Sequence, residues 1–405
     1  MSDTTLQNLK VIDLSQYIAG PYCTKILASL GAEVIKVERP DGGDPTRRIG
    51  PFPDDHPDLE KSGLFLFLNG LKKGITLNLK SGTGRRILKD LIREADVLVE
   101  NFEPRVLPAL GLDYETLEKL NPRLVMTSIT NYGQTGPYRD YKAQEINLVA
   151  SAALMYITGD PDKEPLKEAG STAQYTAGAN AAAATLAAIY GQKIQGIGQH
   201  VDISIMDCVT TLLQYVLTYS RSGLNLIRNG PYSRANNYIG GAGDNGVYPC
   251  KDGYIGVIFS GSDEIHLGTA LTGIDEFSDE DIGYMGFGKC VEDEKLNNLL
   301  ERAFVDREKD EVYRSAQKMR LFWGAVRDVG EVFHNEHYRE RGFWVDVNHP
   351  VAGAYTLPRL PFIMSETQTK VGRAPLLGEH NAEIYGSQLG YSRDELVRLR
   401  EINII

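Results

Sequence analysis

The chain is predicted to be an α/β protein built on a parallel sheet, and three observations predict it. Over the first 130 residues, short apolar runs alternate with segments of helical periodicity. Gly31 and Ser81 stand at joints between them, where a helix stop and a helix cap belong. Strand and helix in alternation imply parallel strands with helices on both faces.

Leu9-Lys10-Val11-Ile12-Asp13-Leu14 reads as a buried strand, and the stretch from Pro21 to Leu30 as a helix that Gly31 stops. A second strand runs from Glu33 to Glu38 through Val34, Ile35 and Val37, and a third spans Ile75 to Leu79. Ser81 then caps a helix whose apolar face is Ile87, Leu88, Leu91 and Ile92. Val97-Leu98-Val99 and Leu124 to Thr127 add two strands. From Asn147 to Gln192 the periodicity is helical, and small residues from Ala177 to Ala188 predict a closely packed, buried helix. His200 to Ser204 reads as one more strand, followed by a helix around Met206 to Tyr219. Near Gly223 the texture changes to glycine-rich turns and short strands, and a charged helical region follows from Glu292 to Asp328. This predicts a large domain over 1–222, a smaller irregular domain over 223–334, and a return to the large domain over 335–405. The return carries a proline-rich crossing from Pro350 to Pro361 and a helix from Ser392 to Arg400.

At 405 residues the chain is too long for one ordinary core, which agrees with two domains. No apolar run reaches the length of a membrane span, and the opening Met-Ser-Asp-Thr-Thr-Leu has no signal region, so a cytoplasmic protein is expected. A net charge of −11 argues against nucleic acid or an anionic membrane as partner. An anionic ligand would need a local cluster of cations. Cys23, Cys208, Cys250 and Cys290 are scattered, which suggests reduced thiols and neither a disulfide frame nor a zinc site. His334 and His337 have the spacing to share a helix face but no third ligand nearby, so no metal is expected.

Gly241-Ala242-Gly243-Asp244-Asn245-Gly246 fits GxGxxG, yet a dinucleotide fingerprint must open a helix, and the sequel from Val247 to Tyr254 reads as a strand and hairpin. A mobile glycine loop or an ordinary tight turn fits better. No GxSxG, HExxH or GxxxxGK[ST] occurs, which removes the usual support for serine hydrolases, zinc proteases and P-loop enzymes. Glu145 and Glu168 are isolated carboxylates of the kind that serve as acids or bases, although most such residues lie on solvated faces.

Several short pieces occur in order and at fitting spacing: Asp13-Leu14-Ser15 through Ala19-Gly20-Pro21, Leu30 to Arg39, Leu77-Asn78-Leu79-Lys80 and Glu100 to Pro104. Leu110-Gly111-Leu112, Asn121-Pro122-Arg123, Gly136-Pro137-Tyr138, Gly198 to Asp202 and Gly378-Glu379-His380 continue the series. Together they resemble the family III (CaiB/BaiF-type) coenzyme A transferases over almost the whole length. The resemblance implies a Rossmann-like large domain made from both chain ends, an inserted small α+β domain, and two chains threaded like linked rings. It implies coenzyme A or acyl-coenzyme A as substrate, with no tightly bound cofactor. The pocket would involve Tyr17, Ile18, Ala19, Arg39, Leu77, Lys80, Asn101, Phe102 and Lys142. Arg39 and Lys80 suit phosphates, and Leu77 and Phe102 suit the adenine.

In the family an aspartate attacks the donor thioester, and an acceptor carboxylate finally takes the coenzyme A. A glutamate and a glycine loop assist, matched here by Glu145 and by Gly240, Gly241 and Gly243. Residue 174, at the nucleophile's position, is glutamine, and an amide oxygen is a far weaker nucleophile than a carboxylate. Ile18, Gln144 and Ala109 also depart from the family's residues. The expected function is therefore a nucleophile-lacking subunit whose homologous partner carries the aspartate. Two-subunit members that activate (R)-2-benzylsuccinate from succinyl-coenzyme A, in anaerobic toluene breakdown, offer the nearest resemblance. A homodimeric transferase using Glu145 or Glu168, and an acyl-coenzyme A-binding scaffold, are the alternatives. Racemases of this fold use a histidine and aspartate pair, which Gln144 and Gln174 would replace.

Overall fold

Strands form where β-branched and leucine residues run together, because a parallel strand covered on both faces needs apolar side chains on each. β1 (Lys10–Asp13), β2 (Glu33–Glu38), β3 (Lys73–Thr76), β4 (Val97–Glu100), β5 (Val125–Thr130) and β6 (Gln199–Ser204) meet this description, except that β6 is largely exposed. The computed structural model describes residues 4–159, 163–213, 246–258, 262–273 and 300–405. The six strands make one sheet in the order β3-β2-β1-β4-β5-β6, and every pairing is parallel.

Local chemistry sets the helices. The first, Ala19–Ser29, gives way at Leu30 to Gly31, whose φ of +102° is strained for any residue with a Cβ. Ser81 caps the helix Gly82–Ile92 by accepting a hydrogen bond from Gly84 N at 2.8 Å. Its apolar face, Ile87, Leu88, Leu91 and Ile92, joins Leu98 and Met126 in the main core. The alanine-rich helix Thr172–Gln195 lies close against the first helix. A Cβ on Gly178 would stand 2.6 Å from the Ala19 carbonyl oxygen, so only glycine permits that approach.

Contacts divide the chain into two units, Met1–Leu148 with Ala169–Val209 and Glu336–Ile405, and Val149–Glu168 with Thr210–Asn335. The chain end returns to the first unit through specific bonds: Tyr385 Oη donates to Thr76 O at 2.7 Å, and Asn78 N donates to Ile404 O at 2.8 Å. Ile384, Tyr385, Leu399 and Ile404 share the core of the parallel sheet. In the second unit, β7 (Gly246–Cys250), β8 (Gly253–Val257) and β9 (Gly324–Ala325) pair antiparallel. They cover Phe304 and Trp323, whose rings meet edge to face at 5.3 Å.

Four readings change. Residues 149–168 group with the second unit and not with the N-terminal part, because the helical stretch breaks at Ile157 and resumes only at Thr172. The strand expected over Ile75–Leu79 runs from Lys73 to Thr76. The proline-rich crossing is a hairpin, with β10 (Trp344–His349) and β11 (Gly353–Pro358) antiparallel. His334 and His337 lie on two helices, Val329–His334 and Glu336–Glu340, separated at Asn335, so they share no face.

Candidate active site at the sheet's switch point

From β1 the chain builds outward to β2 and β3, and later to β4, β5 and β6 on the other side. The segments after β1 and β4 therefore diverge and leave a crevice at the carboxyl ends of the strands. Asn101, the residue after β4, clamps the segment after β1: its Oδ1 accepts from Gln16 N and its Nδ2 donates to Gln16 O, both at 2.7 Å. Tyr17 next to it sits in left-handed backbone, φ +63°, and donates its N–H to Asp44 Oδ1 at 3.3 Å. A half-exposed tyrosine held in that conformation is backbone strain at the crevice mouth. Asn101→Ala removes both clamping bonds and is expected to cost about 2 kcal/mol, read by thermal denaturation. Weaker coenzyme A binding should accompany it, whereas an unchanged melting temperature would contradict the clamp.

Beneath this turn lies a buried set of charges. Asp13 is fully buried and accepts from Thr24 Oγ1 at 2.7 Å, from Ser15 N at 3.0 Å and from Lys72 Nζ at 3.0 Å. Burial opposes its ionisation, but Lys36, Lys72 and the two hydroxyls outweigh burial and hold its carboxyl down at about 2. Lys36 bonds Asp44 at 2.8 Å and the Ser15 carbonyl. Glu38 takes Arg47 in a two-pronged pair at 2.7 and 2.9 Å. These charges fix the shape of the walls, and Lys36, Glu38 and Asp44 also line the first of the cavities they support.

Two cavities open from the crevice. The first, of about 310 Å³, has apolar walls that include Leu77, Leu79, Phe102 and Leu110, with Arg39 and Lys80 among its lining residues. Neither cation has a carboxylate partner among the described residues, although Asp41 lines the same cavity. The second, of about 280 Å³, is lined by Tyr17, Ile18, Asn101, Asn131, Gln144, Glu145 and Gln174. Phe102 forms part of both. Gln174 is in the first turn of the helix Thr172–Gln195, and Glu145 Oε1 accepts from Ala173 N beside it at 2.7 Å. Glu145 Oε2 is buried without a hydrogen-bond partner. An apolar slot rimmed by two cations suits a phosphorylated nucleotide, and an amide-rich cavity beyond it suits an acyl group.

Arg39, Leu77, Lys80 and Phe102 thus meet at one cavity, and Tyr17, Ile18, Asn101, Glu145 and Gln174 at the other. Ala19 and Lys142 do not. Ala19 is fully buried against the long helix, and Lys142 points to solvent, 3.7 Å from Glu103. Glu168 is exposed and belongs to the second unit. Gly240, Gly241 and Gly243 lie outside the described residues. Sequence reasoning missed Asn131, Arg139 and Asp140 in the second cavity and Asn403 in the first. Asn403 gives no local signal, because it reaches the cavity only through the return of the chain end.

A doubly wound parallel sheet with a nucleotide-sized cavity and an acyl-sized one at its switch point defines an α/β enzyme that handles a nucleotide-bearing substrate. The model of CoA-transferase family III matches residues 6–381. A succinate–glutarate CoA-transferase of Agrobacterium fabrum is 30% identical, covering 94% of each chain. The BbsE subunit of succinyl-CoA:(R)-benzylsuccinate CoA-transferase from Thauera aromatica is 30% identical over 98% of this chain and 97% of its own. A CaiB/BaiF family protein from Brucella suis superposes with a TM-score of 0.82 at 30% identity, over 95% of this chain and 99% of that one. The chain belongs to the family III coenzyme A transferases.

Proposed function

We propose that this chain is the nucleophile-lacking subunit of a heteromeric coenzyme A transferase, paired with a homologue that carries an aspartate at the equivalent of Gln174. The observation that carries this reading is Gln174 itself, an amide in the first turn of its helix on the wall of the acyl-sized cavity. A carboxylate there would attack a thioester carbonyl, break the C–S bond and release the thiolate; an amide cannot. The two chains would interlock, each with a Rossmann-like large domain and an inserted small domain. Likeness to the BbsE subunit supports succinyl-coenzyme A as donor and (R)-2-benzylsuccinate as acceptor. The test is transfer by the purified chain alone and together with its partner, with hydroxylamine trapping and mass spectrometry to locate acylated residues. An adduct on the partner's aspartate, and none on this chain, is the expected result; robust transfer by the lone chain overturns it.

Coenzyme A itself would seat its nucleotide in the first cavity. Arg39→Ala and Lys80→Ala are each expected to weaken binding about 10-fold by calorimetry, and more at low ionic strength. Binding unchanged by both substitutions would move the nucleotide elsewhere.

One observation favours a second reading. Glu145 has a carboxylate oxygen without a partner at the same cavity. In a homodimeric transferase it would be the acylated group, and the same trapping experiment would find the adduct on Glu145.

A further inference from the structure

Strand register places Glu100 of β4 beside Ser128 of β5, and Ser128 beside Asp202 of β6. Residues paired in this way point to the same face of the sheet, so two carboxylates flank one hydroxyl. Each carboxylate also holds a turn that follows a strand. Glu100 Oε2 accepts from Phe102 N at 2.8 Å, and Asp202 accepts from Gln134 N at 2.9 and 3.0 Å. Glu100 is 3% exposed, and among the described residues no cation pairs with it. The Ser128 hydroxyl stands 2.8 Å from His200 Nε2 and lies beside Glu100, whose carboxyl it helps to ionise. His200 is exposed and stacks on Tyr114, with ring centroids 5.4 Å apart. Glu100, Ser128 and His200 therefore form a polar line from the buried carboxyl to the surface.

We propose that Glu100 is a positioning residue for coenzyme A: through the Phe102 N–H it sets the ring shared by the two cavities, and coenzyme A affinity follows its ionisation. The inference rests on the nucleotide reading of the first cavity. An ionised carboxylate makes a charge-assisted bond to Phe102 N–H, roughly twice as strong as the bond a neutral carboxyl accepts. Burial pushes the Glu100 carboxyl up to about 7, the Ser128 and Phe102 bonds oppose that rise, and Asp202 adds to it. The other titratable groups nearby are His200, Tyr114 and Glu118 on the β6 side, and Glu103 on the turn, which is already paired with Arg105 and Lys142. Ser128 and His200 offer protons a route to Glu100, by which the group would titrate without opening the core.

The test is calorimetric titration of coenzyme A into the full chain between pH 6 and 8, for wild type, Glu100→Gln and Ser128→Ala. Wild-type affinity should rise about 10-fold with pH beyond the change seen in Glu100→Gln, which shares the ligand's own titration. Glu100→Gln should match the wild type at low pH and change with pH only as far as the ligand's own titration requires. Ser128→Ala removes a donor from the carboxylate, so the midpoint should move to higher pH. A Glu100→Gln profile identical to wild type overturns the proposal while leaving the nucleotide site intact. If wild-type protein binds no coenzyme A at any pH, the site reading falls, and the proposal with it.

Discussion

Gln174→Asp is expected to make the lone chain acylable. With an acyl-coenzyme A donor, the variant should form a hydroxylamine-sensitive adduct at residue 174 at least about 10³-fold faster than the parent, since losing a nucleophile costs that much or more elsewhere. The geometry favours the gain. Residue 174 lies in the first turn of the helix Thr172–Gln195, where unpaired N–H groups favour an ionised carboxylate. The neighbouring Glu145 opposes it, because two close carboxylates resist joint ionisation, so the adduct should form faster as pH rises above the carboxylate range. Mass spectrometry of peptides containing residue 174 reads the result. A folded variant that binds coenzyme A yet remains unmodified would show that more than one missing carboxylate disables the site, with Gln144 and Ile18 the next residues to restore.

Asp13→Ala should have the largest effect on stability. It removes the carboxylate bonded to Lys72, leaving that amine the more distant Asp44, and leaves Lys36 with Asp44 and Glu38, in a region with no access to water. Breaking a buried pair by deleting one partner costs about 3–5 kcal/mol, because the surviving charge stays desolvated. Chemical denaturation measures that loss. The wild type should also carry a pH signature. Asp13 titrates lower in the folded state than in the unfolded one, so its contribution is present above an ordinary aspartate value near 3.8 and is lost as pH falls toward about 2. The lost contribution is roughly 2 kcal/mol, and Asp13→Asn should lack that part of the acid dependence. An equal acid response in both proteins would assign the sensitivity to other carboxylates.

Much of the parallel sheet is legible from short-range chemistry. Val97-Leu98-Val99 has no alternative to burial, and Ser81 and Gly31 mark helix ends by side-chain and backbone conformation. Likewise, Ser392 and Glu395 form the capping box that opens the last helix. The pairings across long sequence distances are not legible. The resemblance marks Asn101 as a pocket residue, but its clamp on Gln16, far earlier in the chain, shows only once the fold brings the two together. Nothing in the sequence singles out Lys36 and Lys72, because their acidic partners come together only when the strands pair. The membership of 149–168 was obscured for a similar reason: helical periodicity reports which face is apolar, not which core that face joins. At the site, the resemblance pointed to positions, and the fold sorted them into two cavities while setting Ala19 and Lys142 aside.

Glu145 carries a last consequence. Among the described residues, one of its oxygens has no donor and would meet a guest only by a turn of the side chain toward the cavity it lines, while the other caps the helix. An unfulfilled lone pair of that kind costs about 1–3 kcal/mol, and a guest bringing an N–H or O–H to it recovers that energy. An ionised acid recovers that energy only if a proton or a neighbouring donor comes with it. An acidic guest would thus be received best with its proton still on it, or with a donor group carried alongside.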